Sequence, residues 1–363
     1  MNKTRRLSVA MGAAGLLAVT SIGSVAAQDS VSVQLQWSPQ AQFAGFYAAD
    51  ALGYFEENDL EVTMIDGAAD IVPQLVGSDP NGPEFTMAWV PKVLEAREGG
   101  SDLVNIAQTF QKSGILSVSW ADNPVNSPEE FAGKNVGVWG FGNEFEVTAA
   151  ATQAGLEADV DYVKVIQPFD MSLLLNREVD TASAMTYNEY AQVLESINPD
   201  TGEVYQPEDL VVINYNDVGT AMLQDAVHAR AGWLAEEGNE DIAVRFIAAL
   251  LKGWAYCRDN PAECVDITVD AGSLLPAGHQ AWMMNEINDL IWPSPDGAGA
   301  MDQDFWEQTV NVAIEAGVIE AEPDEAYIRT DLLEKAWALI GEDVDLVGAD
   351  FQKDEITLTE GGV

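Results

Sequence analysis

Histidine and cysteine are scarce in this chain of 363 residues, two of each. His228 and His279 lie far apart, and the cysteines, Cys257 and Cys264, sit together in "CRDNPAEC". Zinc needs clustered thiolate or imidazole ligands, so no metal site is expected. Basic residues are also few. Sixteen lysines and arginines stand against 60 aspartates and glutamates, a formal net charge of −44. A surface of that sign repels phosphate backbones, which excludes nucleic acid as a partner. In "GVWGFGNEF", Gly140 and Gly142 are present, but Phe145 stands where a dinucleotide fingerprint needs a third glycine. There is no P-loop and no GxSxG elbow, and no cofactor is expected. Beyond residue 22 no run reaches the ~18 apolar residues that span a bilayer.

The one long apolar run lies at the start. Lys3, Arg5 and Arg6 precede an apolar stretch over residues 7–22, and Ser24-Val25-Ala26-Ala27 supplies small residues for cleavage. Residues 1–27 therefore read as a secretory signal peptide cut after Ala27, with an uncleaved anchor as the alternative. Arg5-Arg6 fits a twin-arginine signal loosely, and the absence of a nearby cysteine closes the lipoprotein route. The chain reads as exported, periplasmic or extracytoplasmic. Without the leader, 13 basic residues face 60 acidic ones, a balance of −47, and only seven lysines remain. Salt screening makes such a surface tolerable, which suits a halophilic, saline exterior; a merely very acidic secreted protein is the alternative. Export also permits a disulfide between Cys257 and Cys264. A continuous helix would hold them about 10 Å apart, too far to bridge. Asn260-Pro261 reads instead as a helix N-cap followed by proline, a chain reversal that would bring the sulfurs together. Two buried free thiols are the other reading.

From residue 31 onward, short β-rich runs alternate with helical runs. Strands are expected over residues 31–37, 61–65, 85–90 and 103–108, with helices over 43–55, 71–76 and 91–98. The same alternation restarts near Ile115, with strands at 135–139, 162–166, 182–186 and 210–214 and helices at 144–154, 171–176 and 190–197. After residue 220 the pattern turns helical, save one strand-like piece at 221–228 that would return the chain to the first sheet. The expected organisation is an α/β first lobe (28–114), a second lobe (115–220), a mostly helical return to the first (221–350) and a polar tail (351–363). Two lobes joined by crossings near Ile115 and Thr220 describe a clamp.

Open α/β sheets bind ligands beyond the carboxyl ends of their strands. Those ends read "WSPQAQF", "WVPK", "WGFGNEF" and "TYNEY": aromatic and amide-rich. They suit a flat, polar, uncharged heterocycle, with rings to stack on it and amides to read its edge. The candidate ligand-binding residues are Trp37, Gln40, Gln42, Phe43, Trp89, Phe141, Gly142, Asn143, Glu144, Tyr187, Asn188 and Glu189. Trp37 reads as a stacker or as a core strand residue. Glu144 and Glu189 read as hydrogen-bond acceptors or as helix-start acids facing the dipole. Gly140 and Gly142 either bare N–H groups for an oxygen or make a tight turn. His279, Trp282 and Trp292 have helical spacing and read as packing.

The segments "QLQW", "PQAQFAGFYAAD", "EEFAGKNVGVW", "GNEFE" and "SAMTYNEY" resemble the solute-binding proteins of ABC importers. More narrowly, they resemble the branch related to the thiamine-pyrimidine synthases, which includes receptors for thiamine pyrimidine precursors and for riboflavin. The resemblance implies a type II periplasmic-binding-protein fold, two α/β lobes each built on a mostly parallel sheet flanked by helices. It implies a monomer that delivers its ligand to a membrane permease driven by a separate ATPase. A thiamine pyrimidine is the first expectation and riboflavin the second. The enzyme branch is expected to carry a histidine after the first strand and a cysteine-rich motif. Here that stretch reads Gln40-Ala41-Gln42-Phe43, and no cysteine precedes Cys257, so a synthase is disfavoured.

Overall fold

The computed structural model describes residues 28–363; the leader read in residues 1–27 lies outside them. Ten strands form two five-stranded sheets. The first holds β1 (Asp29–Gln34), β2 (Leu60–Ile65), β3 (Phe85–Trp89), β4 (Leu103–Gln108) and β10 (Asp225–Arg230), in the order β2-β1-β3-β10-β4. The second holds β5 (Ile115–Trp120), β6 (Asn135–Val138), β7 (Val163–Ile166), β8 (Thr181–Met185) and β9 (Leu210–Asn214), in the order β7-β6-β8-β5-β9. β10 runs antiparallel between β3 and β4, and β5 runs antiparallel between β8 and β9. The remaining four strands of each sheet share one direction. In each sheet the reversed strand is the first to form after the chain crosses from the other sheet. This is the type II periplasmic-binding-protein architecture, two mostly parallel sheets with helices packed around them.

Several local expectations shift. β5 was not among the expected strands, although Ser117 and Ser119 alternate with apolar residues along it, a pattern that suggests a strand with one wet face. All six of its residues are buried. The hydroxyls are satisfied inside: Ser117 Oγ lies 2.6 Å from the Tyr215 hydroxyl, and Ser119 Oγ donates to the Val211 carbonyl. The helix expected over 43–55 divides into Ala44–Ala51 and Tyr54–Glu57, because Gly53 adopts φ 76° between them. β1 ends at Gln34, so residues 36–39 form a bend rather than the end of a strand.

The helical return packs against the first sheet. The helix Asn239–Asp259 lies against Ala44–Ala51, and Phe246 stacks on Phe85 and Phe55 with ring centroids 4.1 and 5.5 Å away. It stops at Asp259 and a new helix starts at Pro261, which brings the Cα atoms of Cys257 and Cys264 to 5.4 Å and joins them in a disulfide. Asn260 does not cap the new helix; its side-chain amide donates back to the Tyr256 carbonyl. The polar tail is fastened down. Asp354 exchanges two hydrogen bonds with the Asn285 side chain, and Lys353 pairs with Glu286. Among the described residues no helix is long and apolar enough to cross a membrane.

Candidate ligand-binding site

A cleft of about 660 Å³, mouth included, opens between the two sheets. Its first wall is the turn after β1. Gln40 is extended (φ −164°, ψ 168°) and starts the 3-10 turn Ala41–Phe43. Its side-chain amide donates to Gln42 Oε1 at 2.7 Å, and Gln42 Nε2 donates to Asp225 Oδ2 at 2.7 Å. The amides thus relay from the cleft to a carboxyl buried at the head of β10. Burial pushes Asp225 up to about 7, against the Gln42 amide, Lys92 and the Trp89 indole, which hold it down. Lys92 comes from the first turn after β3. Its Nζ lies 4.4 Å from the Trp89 ring centroid and donates to Asn143 Oδ1 at 2.6 Å, across to the second lobe. Burial lowers this ammonium to about 8.

The second wall comes from the ends of β6, β7 and β8. Phe169 stacks on Trp139 with centroids 6.0 Å apart, and Trp37 of the first lobe tilts against Phe169 at 4.7 Å. Tyr187, Asn188 and Glu189 are buried and line the floor. The Glu189 carboxylate accepts from the Met185 N–H at 3.0 Å and from Asn188 Nδ2 at 2.9 Å, and burial raises it to about 7. Two amide oxygens in the walls, Gln36 Oε1 and Gln74 Oε1, are buried with no hydrogen-bond partner. A buried acceptor left unpaired is costly, so these oxygens await a donor.

Of the expected residues, Trp37, Gln40, Gln42, Trp89, Phe141, Asn143, Tyr187, Asn188 and Glu189 all line this cleft. Phe43 does not: it is fully buried in the core, because in the tight turn its ring points opposite to Gln42. Gly142 and Glu144 face a wider outer cleft instead. The Gly142 N–H is not bare, since Glu144 Oε2 accepts it at 3.0 Å. Among the lining residues that were missed are Gln36, Gln74, Lys92, Trp139 and Phe169. Lys92 and Trp139 sit inside the quoted strand ends "WVPK" and "WGFGNEF". Phe169 follows β7, and the strand-end rule applied to 162–166 would have found it. Trp292 packs in the core, whereas His279 and Trp282 reach the second lobe.

A family model described as "NMT1/THI5 like" matches residues 40–264, more than half of the chain. The chain belongs to the NMT1/THI5-like family. Two relatives in sequence carry functional names. The riboflavin-binding protein RibY of Chloroflexus aurantiacus is 23% identical over 306 residues, 82% of this chain and 83% of that protein. The formylaminopyrimidine-binding protein of Halalkalibacterium halodurans is 24% identical over 294 residues, 78% of this chain and 84% of that protein. Among solved structures, a ligand-binding component of an ABC-type import system from Staphylococcus aureus superposes with a TM-score of 0.61 at 10% identity, covering 85% of this chain and 99% of that one. The desulfurization enzyme DSZB shares the fold at a TM-score of 0.56 and 12% identity, covering 85% and 99%. The fold is that of ABC-importer receptors, and it also carries catalysis.

In this NMT1/THI5-like chain one more buried carboxyl lies where the lobes join. Ser113 Oγ donates to Glu146 Oε2 at 2.7 Å and Gln224 Nε2 donates to Oε1 at 3.0 Å, while the Gly114 N–H donates to Gln224 Oε1. Ser113 and Gln224 belong to the two crossings, so Glu146 ties both together. Burial raises it to about 8. A carboxyl raised in the folded state contributes stability that is complete below its unfolded value and is lost as pH rises through its folded value. Glu146, Glu189 and Asp225 all act in that sense. His228, pushed down to about 3 by burial, opposes them only below its ordinary 6.5, and Lys92 opposes them only above about 8. From pH 6.5 to 8 neither of these two groups opposes the carboxyls, each pH unit being worth up to about 1.4 kcal/mol per group. Thermal midpoints should therefore fall across this window, and Glu146→Gln should flatten the slope at its upper end. A midpoint that rises or stays level from pH 6.5 to 8 would show that these groups stay ionised in the fold.

Proposed function

We propose that this chain is the extracytoplasmic receptor of an ABC importer, that it captures a thiamine pyrimidine precursor, and that it hands this ligand to a membrane permease driven by a separate ATPase. One observation carries the reading. Trp37, Trp139 and Phe169 pack together as an aromatic wall of the slot, amides border it, and the unpaired Gln36 and Gln74 oxygens suit the amino hydrogens of an aminopyrimidine. The relative named for formylaminopyrimidine supports this ligand class. The polar groups of the slot are suited to recognition rather than catalysis: they are mostly amides, and the Glu189 carboxyl is engaged by protein donors. The leader, the disulfide and the acidic surface support export, and the receptor acts as a monomer.

Riboflavin is the second reading. The inner slot opens past Gln74, Lys92 and Phe141 into the wider outer cleft, which offers room for a ribityl chain, and the relative RibY is named for this ligand. Calorimetric titration with formylaminopyrimidine and with riboflavin separates the two. The pyrimidine is expected to bind, and small-angle scattering should show a smaller radius of gyration in its presence, because a ligand touching both walls favours the closed form. Trp37→Ala should weaken binding about tenfold, from a stacking loss of roughly 0.5–1.5 kcal/mol beyond the lost area. It should leave the thermal midpoint nearly unchanged, since Trp37 is half-buried outside the sheet. Binding of riboflavin alone would select the second reading, and binding of neither would reject the ligand class.

A further inference from the structure

The helix Ala277–Ile291 belongs to the helical return, yet it touches both walls of the cleft. On the first wall, Gln280 Oε1 accepts the Ala41 N–H at 2.7 Å, within the turn that carries Gln40 and Gln42. On the second, Trp282 Nε1 donates to the Thr186 carbonyl at 2.9 Å, just before Tyr187. Between them stands His279, 1% exposed. Its Nδ1 lies 3.0 and 2.9 Å from the two Glu195 carboxylate oxygens, and its Nε2 lies 3.1 Å from Asn188 Oδ1.

The protons on this ring follow from its partners. Asn188 Nδ2 donates to Glu189 Oε1 at 2.9 Å, and Asn188 Oδ1 accepts from Gln192 Nε2 at 3.1 Å. That network fixes which end of the Asn188 amide is oxygen. Nε2 of His279 therefore faces an acceptor, and Nδ1 faces a carboxylate, so in this arrangement both nitrogens carry hydrogen. The charged groups facing the ring are Glu195 and, behind Asn188, Glu189, which the ring's charge holds down. The turn Ala41–Phe43 has no titratable side chain. The carboxylates of the helix Pro261–Asp270 are exposed, as are Glu360 and Val363, whose carboxyl carbon lies beside Gly278, and the tail covers the pair with backbone, the Gly361 N–H donating to the Glu195 carbonyl.

We propose that His279 is a positioning residue of the ligand site: its doubly protonated ring clamps Asn188 and Glu195 of the second lobe onto a first-lobe helix and so presents Asn188 and Glu189 to the cleft. The proposal rests on the receptor reading for what the cleft binds, but not for the state of the ring. Loss of one proton leaves a lone pair facing an oxygen, and the clamp opens on that side.

The chain has only two histidines, so ¹⁵N-histidine labelling gives two resolvable rings. His228, buried with Tyr327 on its Nε2, serves as the neutral reference. The expected spectrum at pH 7 shows His228 as a neutral tautomer and His279 with two N–H groups. Formylaminopyrimidine is then titrated into wild type, His279→Gln and His279→Ala. Losing charge-assisted hydrogen bonds to a site residue should weaken binding roughly tenfold or more in both variants. Scattering without ligand should show a larger radius of gyration in the variants. A neutral His279 ring at pH 7, or a glutamine variant with wild-type affinity and shape, overturns the proposal. If neither variant folds, the ring spectrum decides it. If wild type fails to bind the pyrimidine, the ligand reading falls, and the ring spectrum with the ligand-free scattering still decides the clamp.

Discussion

Gly253→Ala should unfold far more readily than wild type, although alanine is the better helix former. The helices Ala44–Ala51 and Asn239–Asp259 meet backbone to backbone at Gly45 and Gly253. A Cβ on Gly253 would stand 2.1 Å from the Gly45 carbonyl oxygen and 3.1 Å from the Ala49 nitrogen. Both atoms are backbone, so no side chain can turn aside and the helices must part. Overpacking of this kind costs roughly 1–3 kcal/mol and occasionally more. The gain in helix propensity is only about 1 kcal/mol. The contact is rigid and lies in the main core beside the buried Trp254, so the upper part of that range applies. Urea unfolding should show a midpoint well below wild type. Ligand affinity should fall too, because the helix Ala44–Ala51 continues directly from the turn that carries Gln40 and Gln42. A midpoint equal to or above wild type would mean that the helices pass each other more loosely than this geometry allows.

Salt should raise stability by many degrees. With 60 acidic residues against 16 basic ones, the carboxylates far outnumber the partners available to them. Folding compresses that excess into a smaller volume, and the repulsion destabilises the compact state. Raising NaCl from about 0.01 M to 1 M shortens the screening length from about 30 Å to about 3 Å. The same salt weakens surface ion pairs such as Arg177–Asp122, but exposed pairs are worth only about 0–1 kcal/mol each. Repulsion is the larger effect by number of charges, so the thermal midpoint should climb, at roughly 1–2 °C per kcal/mol relieved in a chain of this length. Potassium chloride should act alike, since screening does not distinguish the cations. A flat response would mean that the acids are compensated locally, and the saline reading would be abandoned.

Much of this protein was legible in the order of its residues. Short β-rich runs marked nine of the ten strands to within a few residues, and the family resemblance pointed to the fold they build. The strand-end rule pointed to "WSPQAQF", "WVPK", "WGFGNEF" and "TYNEY", each of which lines the cleft. These features are local: a strand's periodicity and a turn's composition are set by neighbours in the chain. What local pattern could not show is which side a residue takes once the turn is closed. Gln42 lines the cleft and Phe43 lies in the core, although they are adjacent. Nor could it show that the serines of β5 are buried, since their hydroxyls find partners only when β8, β9 and Tyr215 arrive. The chemistry of the site depends on contacts between residues far apart in the chain. Gln42 meets Asp225 across 183 residues of chain, and His279 meets Asn188 across 91. Each pairing joins groups whose charge or proton is settled by burial and by the partner opposite. Burial and partner exist only in the folded chain, so tertiary structure alone decided the relay behind the glutamines, the carboxyl beneath the crossings and the ring that spans the two lobes.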